Sequence, residues 1–141
     1  MDIRIREAIF EAVKQEPFCR LMGITLAELA DGRSVVEMEY EPDRMDNIYR
    51  RAHGGAVFAL IDEAFETASQ TDGTIAVALN VNVTYVASPQ PGRLRCEAVR
   101  VTRTRKTATY DIKVTDQKGE VVALCSGLVY QTGKPIPFLG V

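Results

Sequence analysis

The sequence has few of the residues on which several kinds of site depend. It contains one histidine, His53, and no tryptophan among its 141 residues, which excludes metal centres built on several histidines. Its three cysteines, Cys19, Cys96 and Cys125, are odd in number and never spaced as C-x-x-C, so they predict neither a disulfide framework nor a zinc knuckle. Unpaired cysteines are typical of a reducing compartment, and we expect a cytoplasmic protein that holds no metal.

Two further absences limit the partners. Lys and Arg number 17 against 19 Asp and Glu, a net charge of −2, and nucleic-acid-binding proteins usually carry a basic excess instead. No apolar run approaches the roughly 18 residues of a membrane helix, and the N-terminus has no signal-peptide pattern. The chain has no Gly-rich phosphate loop and no G-x-S-x-G motif. We therefore expect neither nucleic acid nor membrane as a partner.

Hydrophobic periodicity predicts an α+β fold in a single domain over residues 1–141. Residues 2–15 show helical spacing of their apolar residues, and a long apolar segment from Gly54 to about Ser69 predicts a buried helix. Alternation and turn signals predict strands over 24–30, 34–40, 75–85, 93–102, 108–114 and 121–131, the fourth with a bulge. The two prolines of the tail, residues 132–141, predict a loose segment.

The predicted helix from Gly54 is apolar on most sides and must be covered on most sides. The available cover is one long antiparallel sheet that curls around it. Such a sheet keeps free edges, and free edges favour pairing with a second copy. We therefore expect a homodimer.

The candidate chemistry lies where this helix begins. Gly54 and Gly55 allow a ligand close to the backbone, and the first amides of a helix can polarise a carbonyl oxygen. His53 adds a polar ring, and Asp62 follows two turns later among mostly apolar neighbours. A buried carboxylate near such a helix end is suited to acyl transfer.

The stretch RAHGGAVFALIDEAFETA, residues 51–68, resembles the HGG-x6-Asp signature of hotdog-fold acyl-CoA thioesterases of the phenylacetate-degradation (PaaI) type, in the 4-hydroxybenzoyl-CoA thioesterase-like superfamily. An asparagine six residues before the histidine and the strand LNVNVTYVASPQPG, residues 79–92, fit the same pattern. The resemblance covers about residues 17–131. It implies a hotdog fold, with a long antiparallel sheet wrapped around a central helix. The implied activity is hydrolysis of an acyl-CoA thioester to a free acid and coenzyme A, with no other cofactor.

The resemblance also implies roles for individual residues. Asp62 would be the catalytic carboxylate, acting as nucleophile or as general base, and the Gly54 amide would polarise the thioester carbonyl. Asn47 would orient the substrate or the lytic water, His53 would support the carbonyl site, and Gly55 would lie against the substrate. In the family these groups meet across a dimer interface, and two dimers can associate further.

Two positions depart from the family pattern. Arg50 stands where many relatives have glycine. The strand after the helix lacks the Ser or Thr that orients water in some relatives, and Asn80 is the residue that could substitute for it.

A basic segment, residues 93–106, carries a net charge of +5 against −7 for the rest of the chain. It suits the phosphates of coenzyme A, and Arg105, Lys106 and Thr107 fall where relatives often have a hairpin near the coenzyme.

Simpler interpretations stand beside these. His53 and Asn47 could be structural, Asp62 could pair with Arg50 or Arg51, and the basic segment could be the solvated face of two strands. Glu63 and Glu66 are interpreted as charges that face solvent or an interface. The alternative functions are an acyl-thioester dehydratase or hydratase of the same fold, a non-catalytic acyl-CoA-binding protein, and a structural protein.

Overall fold

The structure is a computed structural model that describes residues 1–140. Within them the chain forms, in order, α1 (Ile3–Gln15), α2 (Pro17–Met22), β1 (Ile24–Ala30), β2 (Arg33–Tyr40), α3 (Pro42–Met45), α4 (Gly54–Ser69), β3 (Thr74–Tyr85), β4 (Gly92–Arg103), β5 (Thr107–Thr115) and β6 (Val121–Pro135). No helix in residues 1–140 is long and apolar enough to cross a membrane.

The six strands form one antiparallel sheet in the order β1-β2-β4-β5-β6-β3. The sheet curls around α4, which packs on β2, β4 and β5. The predicted α+β hotdog architecture is confirmed, and so is the bulge in β4, between Arg100 and Thr102. Strand β3 lies at the end of the order and pairs only with β6, which leaves its outer edge open.

The apolar run of α4 is buried as predicted. Leu60, Ile61 and Ala64 have no exposed surface, and Phe65 packs edge-on against Tyr110 with ring centroids 5.5 Å apart. Strand β6 approaches the helix closely at Gly127, where a Cβ atom would lie 2.7 Å from the Phe65 ring. Glycine at this position therefore sets the depth at which the helix sits in the sheet.

Helix α1 ends at Gln15, and Pro17 starts the short helix α2, since proline at the first helical position lacks only an amide that would have no partner there. One local prediction is wrong. The tail is not loose throughout, because β6 continues to Pro135 and Ile136 is buried, with its N–H donating to the Gly73 carbonyl at 2.9 Å. The segment between β2 and α4 contains the single turn α3.

Candidate active site

Helix α4 begins at the His53-Gly54-Gly55 sequence with a side-chain cap. The His53 Nδ1 atom accepts a hydrogen bond from the Gly55 N–H at 2.8 Å, so neutral His53 carries its proton on Nε2. A Cβ atom on Gly55 would lie 2.9 Å from Nδ1, so glycine is what lets this cap form. The exposed His53 ring thus fixes the helix start and leaves one N–H donor toward solvent.

The Gly54 amide donates to no acceptor within residues 1–140. The Tyr85 hydroxyl donates to the Gly54 carbonyl at 3.2 Å, and its ring lies against the glycine Cα. Both residues line an open groove of about 310 Å³, together with Asn47, Arg51 and Pro89. An unpartnered amide at the positive end of a 16-residue helix is suited to polarise a carbonyl oxygen in this groove.

Asn47 organises the turn that leads to the groove. Its Oδ1 atom accepts from the amides of Tyr49 and Arg51 at 2.9 and 3.2 Å. Its side-chain nitrogen has no partner within the described part of the chain and is free to bind a ligand. Arg50, in the same turn, has φ of 58°, a left-handed conformation that glycine adopts without strain. The turn therefore keeps a glycine-type backbone although the sequence has arginine.

Asp62 lies on the side of α4 that the sheet does not cover. Its carboxyl group is exposed, which corrects the prediction of a buried carboxylate, and it forms no hydrogen bond or ion pair within residues 1–140. A salt bridge to Arg50 or Arg51 is therefore absent from this part of the chain. Partial desolvation by the surrounding protein raises the pKa of Asp62. Eight residues separate Asp62 from Gly54, about 12 Å along the helix.

The strand residue Asn80 is not brought to Asp62. It pairs with Leu128, whereas the next residue, Val81, pairs with Gly127, which faces α4. Because neighbouring residues of a strand point to opposite faces, the Asn80 side chain points away from α4. The prediction that Asn80 takes the place of the strand hydroxyl beside Asp62 is therefore wrong within a single chain.

Most of the basic segment is neutralised by carboxylates. Arg93 pairs with Glu37, Arg95 with Glu28, Arg100 with Asp31 and Arg103 with Asp72. Arg105 and Lys106, in the turn between β4 and β5, form no ion pair within residues 1–140. The Lys106 Nζ lies 5.5 Å from the centre of the Tyr130 ring, and Thr107 pairs with Tyr130 across the sheet. The exposed cationic site is therefore this turn, which we call the 105–107 turn, rather than the whole segment.

Known proteins share both the sequence pattern and the fold of this chain. A sequence model described as the thioesterase superfamily matches residues 49–123. The chain belongs to this superfamily. Acyl-coenzyme A thioesterase PaaI of Escherichia coli is 30% identical over 118 residues, which make up 83% of this chain and 84% of that protein. Its solved structure superposes with a TM-score of 0.89 over 94% of this chain and 96% of that one, at 26% identity. The protein is thus a PaaI-type hotdog thioesterase.

Two other solved structures have the same fold at higher sequence identity. A mutant of the phenylacetic acid degradation protein PaaI from Thermus thermophilus is 39% identical, with a TM-score of 0.76 over 82% of this chain and 98% of that one. A Streptococcus mutans protein solved with acetyl CoA is 30% identical, with a TM-score of 0.75 over 80% and 91% of the two chains.

Two residues of this PaaI-type thioesterase have surroundings that the sequence did not predict. Tyr85 reaches the Gly54 carbonyl because it shares the inward face of β3 with Val81 and Val83, a signal that the period-2 alternation did contain. Glu63, predicted to face solvent or an interface, is only 3% exposed. It faces α2, which the sequence did not predict, so nothing indicated that it would be covered.

Proposed function

We propose that this thioesterase hydrolyses acyl-CoA to a free carboxylic acid and coenzyme A at a site shared between two copies of the chain. The observation that carries the proposal is the pair of unpartnered groups on α4, the Gly54 amide and the Asp62 carboxylate. The PaaI relative named as an acyl-coenzyme A thioesterase and the relative solved with acetyl CoA support the substrate class. The three unpaired cysteines support a cytoplasmic location.

The thioester carbonyl oxygen would accept the Gly54 N–H, where the α4 dipole stabilises the negative charge that develops on it. Asp62 would remove a proton from water as the water oxygen attacks the carbonyl carbon, or would attack that carbon itself. The C–S bond then breaks, and the coenzyme A thiolate takes up a proton. When Asp62 is the nucleophile, the acyl group remains on its carboxylate as an anhydride, which water hydrolyses to the free acid and the restored carboxylate. A raised pKa makes the Asp62 carboxylate a stronger base than an ordinary aspartate. The free side-chain nitrogen of Asn47 would orient the carbonyl or the water.

A second copy is needed because Gly54 and Asp62 of one chain are about 12 Å apart along α4 and cannot act on one carbonyl carbon. The open edge of β3 is the natural place for that copy. It carries exposed apolar side chains at Val77, Leu79 and Tyr85, and two-fold pairing of β3 with itself would be antiparallel. The α4 helices of the two copies would then also run antiparallel, with the start of one directed toward the middle of the other. Further association into a dimer of dimers is compatible with this arrangement.

The same pairing would complete the coenzyme site. In one chain Tyr130 of β6 pairs with Thr107 on one side and with Val77 of β3 on the other, so the 105–107 turn lies near the Val77 end of β3. Gly54 lies beside Tyr85, at the other end of β3. Eight strand residues separate these positions, roughly 26 Å. Antiparallel pairing of β3 would bring the turn of one copy toward the Gly54 end of the other. Arg105 and Lys106 would then bind coenzyme phosphates, beside the Thr107 hydroxyl and within reach of a thioester at Gly54.

The dehydratase alternative is less well supported by the histidine geometry. That chemistry uses a histidine base paired with a carboxylate, whereas His53 Nδ1 accepts from the Gly55 amide and no carboxylate contacts the ring within residues 1–140.

The experiment that tests the function is a thiol-release assay over aryl, short-chain and medium-chain acyl-CoA substrates. Asp62→Asn should lower kcat by about 100-fold or more. The matched control is Glu66→Gln, an exposed carboxylate one turn further along the same helix, and it should retain activity. Lys106→Gln should raise KM for acyl-CoA more than it lowers kcat. Wild-type turnover by Asp62→Asn would refute the mechanism, and absence of thiol release from every substrate would favour a binding protein.

Mixed dimers test whether the site is shared. Asp62→Asn and Asn47→Ala are each expected to be inactive as homodimers. If the two residues come from different copies, unfolding and refolding the two variants together should restore about a quarter of wild-type activity, because half of the dimers are mixed and each has one intact site. No recovery after verified exchange would place both residues in the same copy.

A further inference from the structure

A second cluster of ionisable groups lies where α4 faces α2, about 100° around the helix axis from Asp62. It consists of Glu16, at the corner between α1 and α2, Cys19 of α2, and Glu63 of α4. One ligand atom from each residue lies within 4.8 Å of those of the other two. Cys19 and Glu63 are 1% and 3% exposed, and Glu16 is half-buried. The proposed thioester chemistry uses none of these residues.

The cluster is incomplete as it stands. The Glu63 Oε1 atom is buried and has no hydrogen-bond partner within residues 1–140, and an unsatisfied buried oxygen of this kind commonly indicates a bound water or ion. No Lys, Arg or His lies within ion-pair distance of Glu63 in this part of the chain. A cation is therefore the charge that the site lacks.

We infer that Glu16, Cys19 and Glu63 form a site for a single divalent cation of the Zn²⁺ type. A thiolate with two carboxylates is a ligand set that Zn²⁺ accepts, with Zn–S near 2.3 Å and Zn–O of about 2.0–2.2 Å. Tetrahedral ligands at those lengths lie roughly 3.5 Å from each other, so the present separations need to close by little more than 1 Å.

The position of the cluster provides a route for the ion and an open ligand position. A groove of about 390 Å³ between α1 and α4 is lined by Glu16, Glu63 and Glu66. A cation could enter through it, and water from the groove would supply the fourth ligand. Metal binding needs the thiolate form of Cys19 and would therefore release the thiol proton. The bound ion would tie the α1–α2 corner to α4 one residue from Asp62.

The test uses Co²⁺ as a spectroscopic probe and Zn²⁺ for affinity, on chelator-treated protein near pH 7.5. We expect one equivalent of Co²⁺ to produce a thiolate-to-metal charge-transfer band, which Zn²⁺ then removes. Calorimetry in buffers of different ionisation enthalpy should report proton release on Zn²⁺ binding, which the Cys19 thiol supplies. Zn²⁺ in excess should raise Tm, because it binds only the folded chain.

Matched variants identify the ligands. Cys19→Ala and Glu63→Gln should each abolish the band, and Cys96→Ala, which removes another fully buried thiol, should retain it. Glu16→Gln provides a ligand variant at a half-buried position, so the test does not depend on how well Cys19→Ala or Glu63→Gln folds. A band that persists in Cys19→Ala, Zn²⁺ affinity unchanged in Glu63→Gln, or no stoichiometric binding by the wild-type chain would each overturn the proposal.

Discussion

Replacement of Glu63 by glutamine should make the metal-free protein more stable at alkaline pH. Glutamine has nearly the shape of a protonated glutamate, so Glu63→Gln preserves packing and removes only the ionisation. The folded chain raises the pKa of Glu63 to about 8, through burial first and then the charges of Glu16 and Glu66. An unfolded glutamate titrates near its ordinary value of 4.5.

The direction and size of the effect follow from proton linkage. Between about pH 4.5 and 8 the folded chain keeps a proton that the unfolded chain has released, so the free energy of unfolding falls as pH rises through this window. It stops falling above pH 8, where Glu63 is ionised in both states. Each pKa unit is worth about 1.4 kcal/mol, which sets an upper limit of about 5 kcal/mol for the whole window. We expect a loss on the order of 2–5 kcal/mol in wild type that Glu63→Gln does not show.

The measurement is urea unfolding from pH 5.5 to 8.5 in the presence of a chelator. Glu63→Gln should exceed wild type in stability by at most about 1.4 kcal/mol at pH 5.5, and the difference should grow by up to about 3.4 kcal/mol toward pH 8.5. Glu7→Gln, an exposed carboxylate of α1, is the control and should follow wild type. Because titration of the unfolded cysteines is common to all three proteins, it cancels in the differences. A Glu63→Gln curve parallel to that of wild type would refute the reasoning.

Two further predictions concern backbone and packing. Arg50→Gly should raise the free energy of unfolding, measured with urea, by up to about 1 kcal/mol. Holding a residue other than glycine in the left-handed conformation costs about 1–2 kcal/mol, which exceeds the extra chain entropy that glycine loses on folding. A destabilised variant would contradict this conformation of Arg50. Gly127→Ala should destabilise by about 1–3 kcal/mol in the same assay, since its Cβ would meet the Phe65 ring at 2.7 Å, and Phe65→Leu in the same chain should recover part of the loss.

The sequence predicted the fold well because its strongest patterns are local. The apolar run after Gly54 specifies a covered helix, and the eleven-residue alternation ending at Tyr85 specifies a strand with one inward face. The start of α4 was also readable, because His53, Gly54 and Gly55 are consecutive and their roles at a helix end are set by backbone geometry. What these patterns share is that each lies within one element.

The features that were predicted wrongly depend on contacts between distant segments. Glu63 looked like a surface charge because its cover, α2, begins at a proline that reads as a helix end, and Glu16 and Cys19 lie more than forty residues away in the sequence. Strand β6 reaches Pro135 because β3 continues beside it, which the composition of the tail did not indicate. Val77 and Leu79 are exposed because a bulge between Ala78 and Asn80 breaks the alternation that would have placed them on the inward face with Val81.

Helix α4 separates the two proposed sites although their key residues are adjacent in sequence. Asp62 and Glu63 differ by about 100° around the helix axis, which turns Asp62 toward the uncovered side and Glu63 toward α2. Asp62 therefore depends on a second copy for its function, whereas Glu63 depends on the N-terminal helices of its own chain. Changes at Glu63 should thus affect stability and metal binding more than they affect dimer formation. Changes at Asp62 should abolish turnover while leaving the cluster around Cys19 intact.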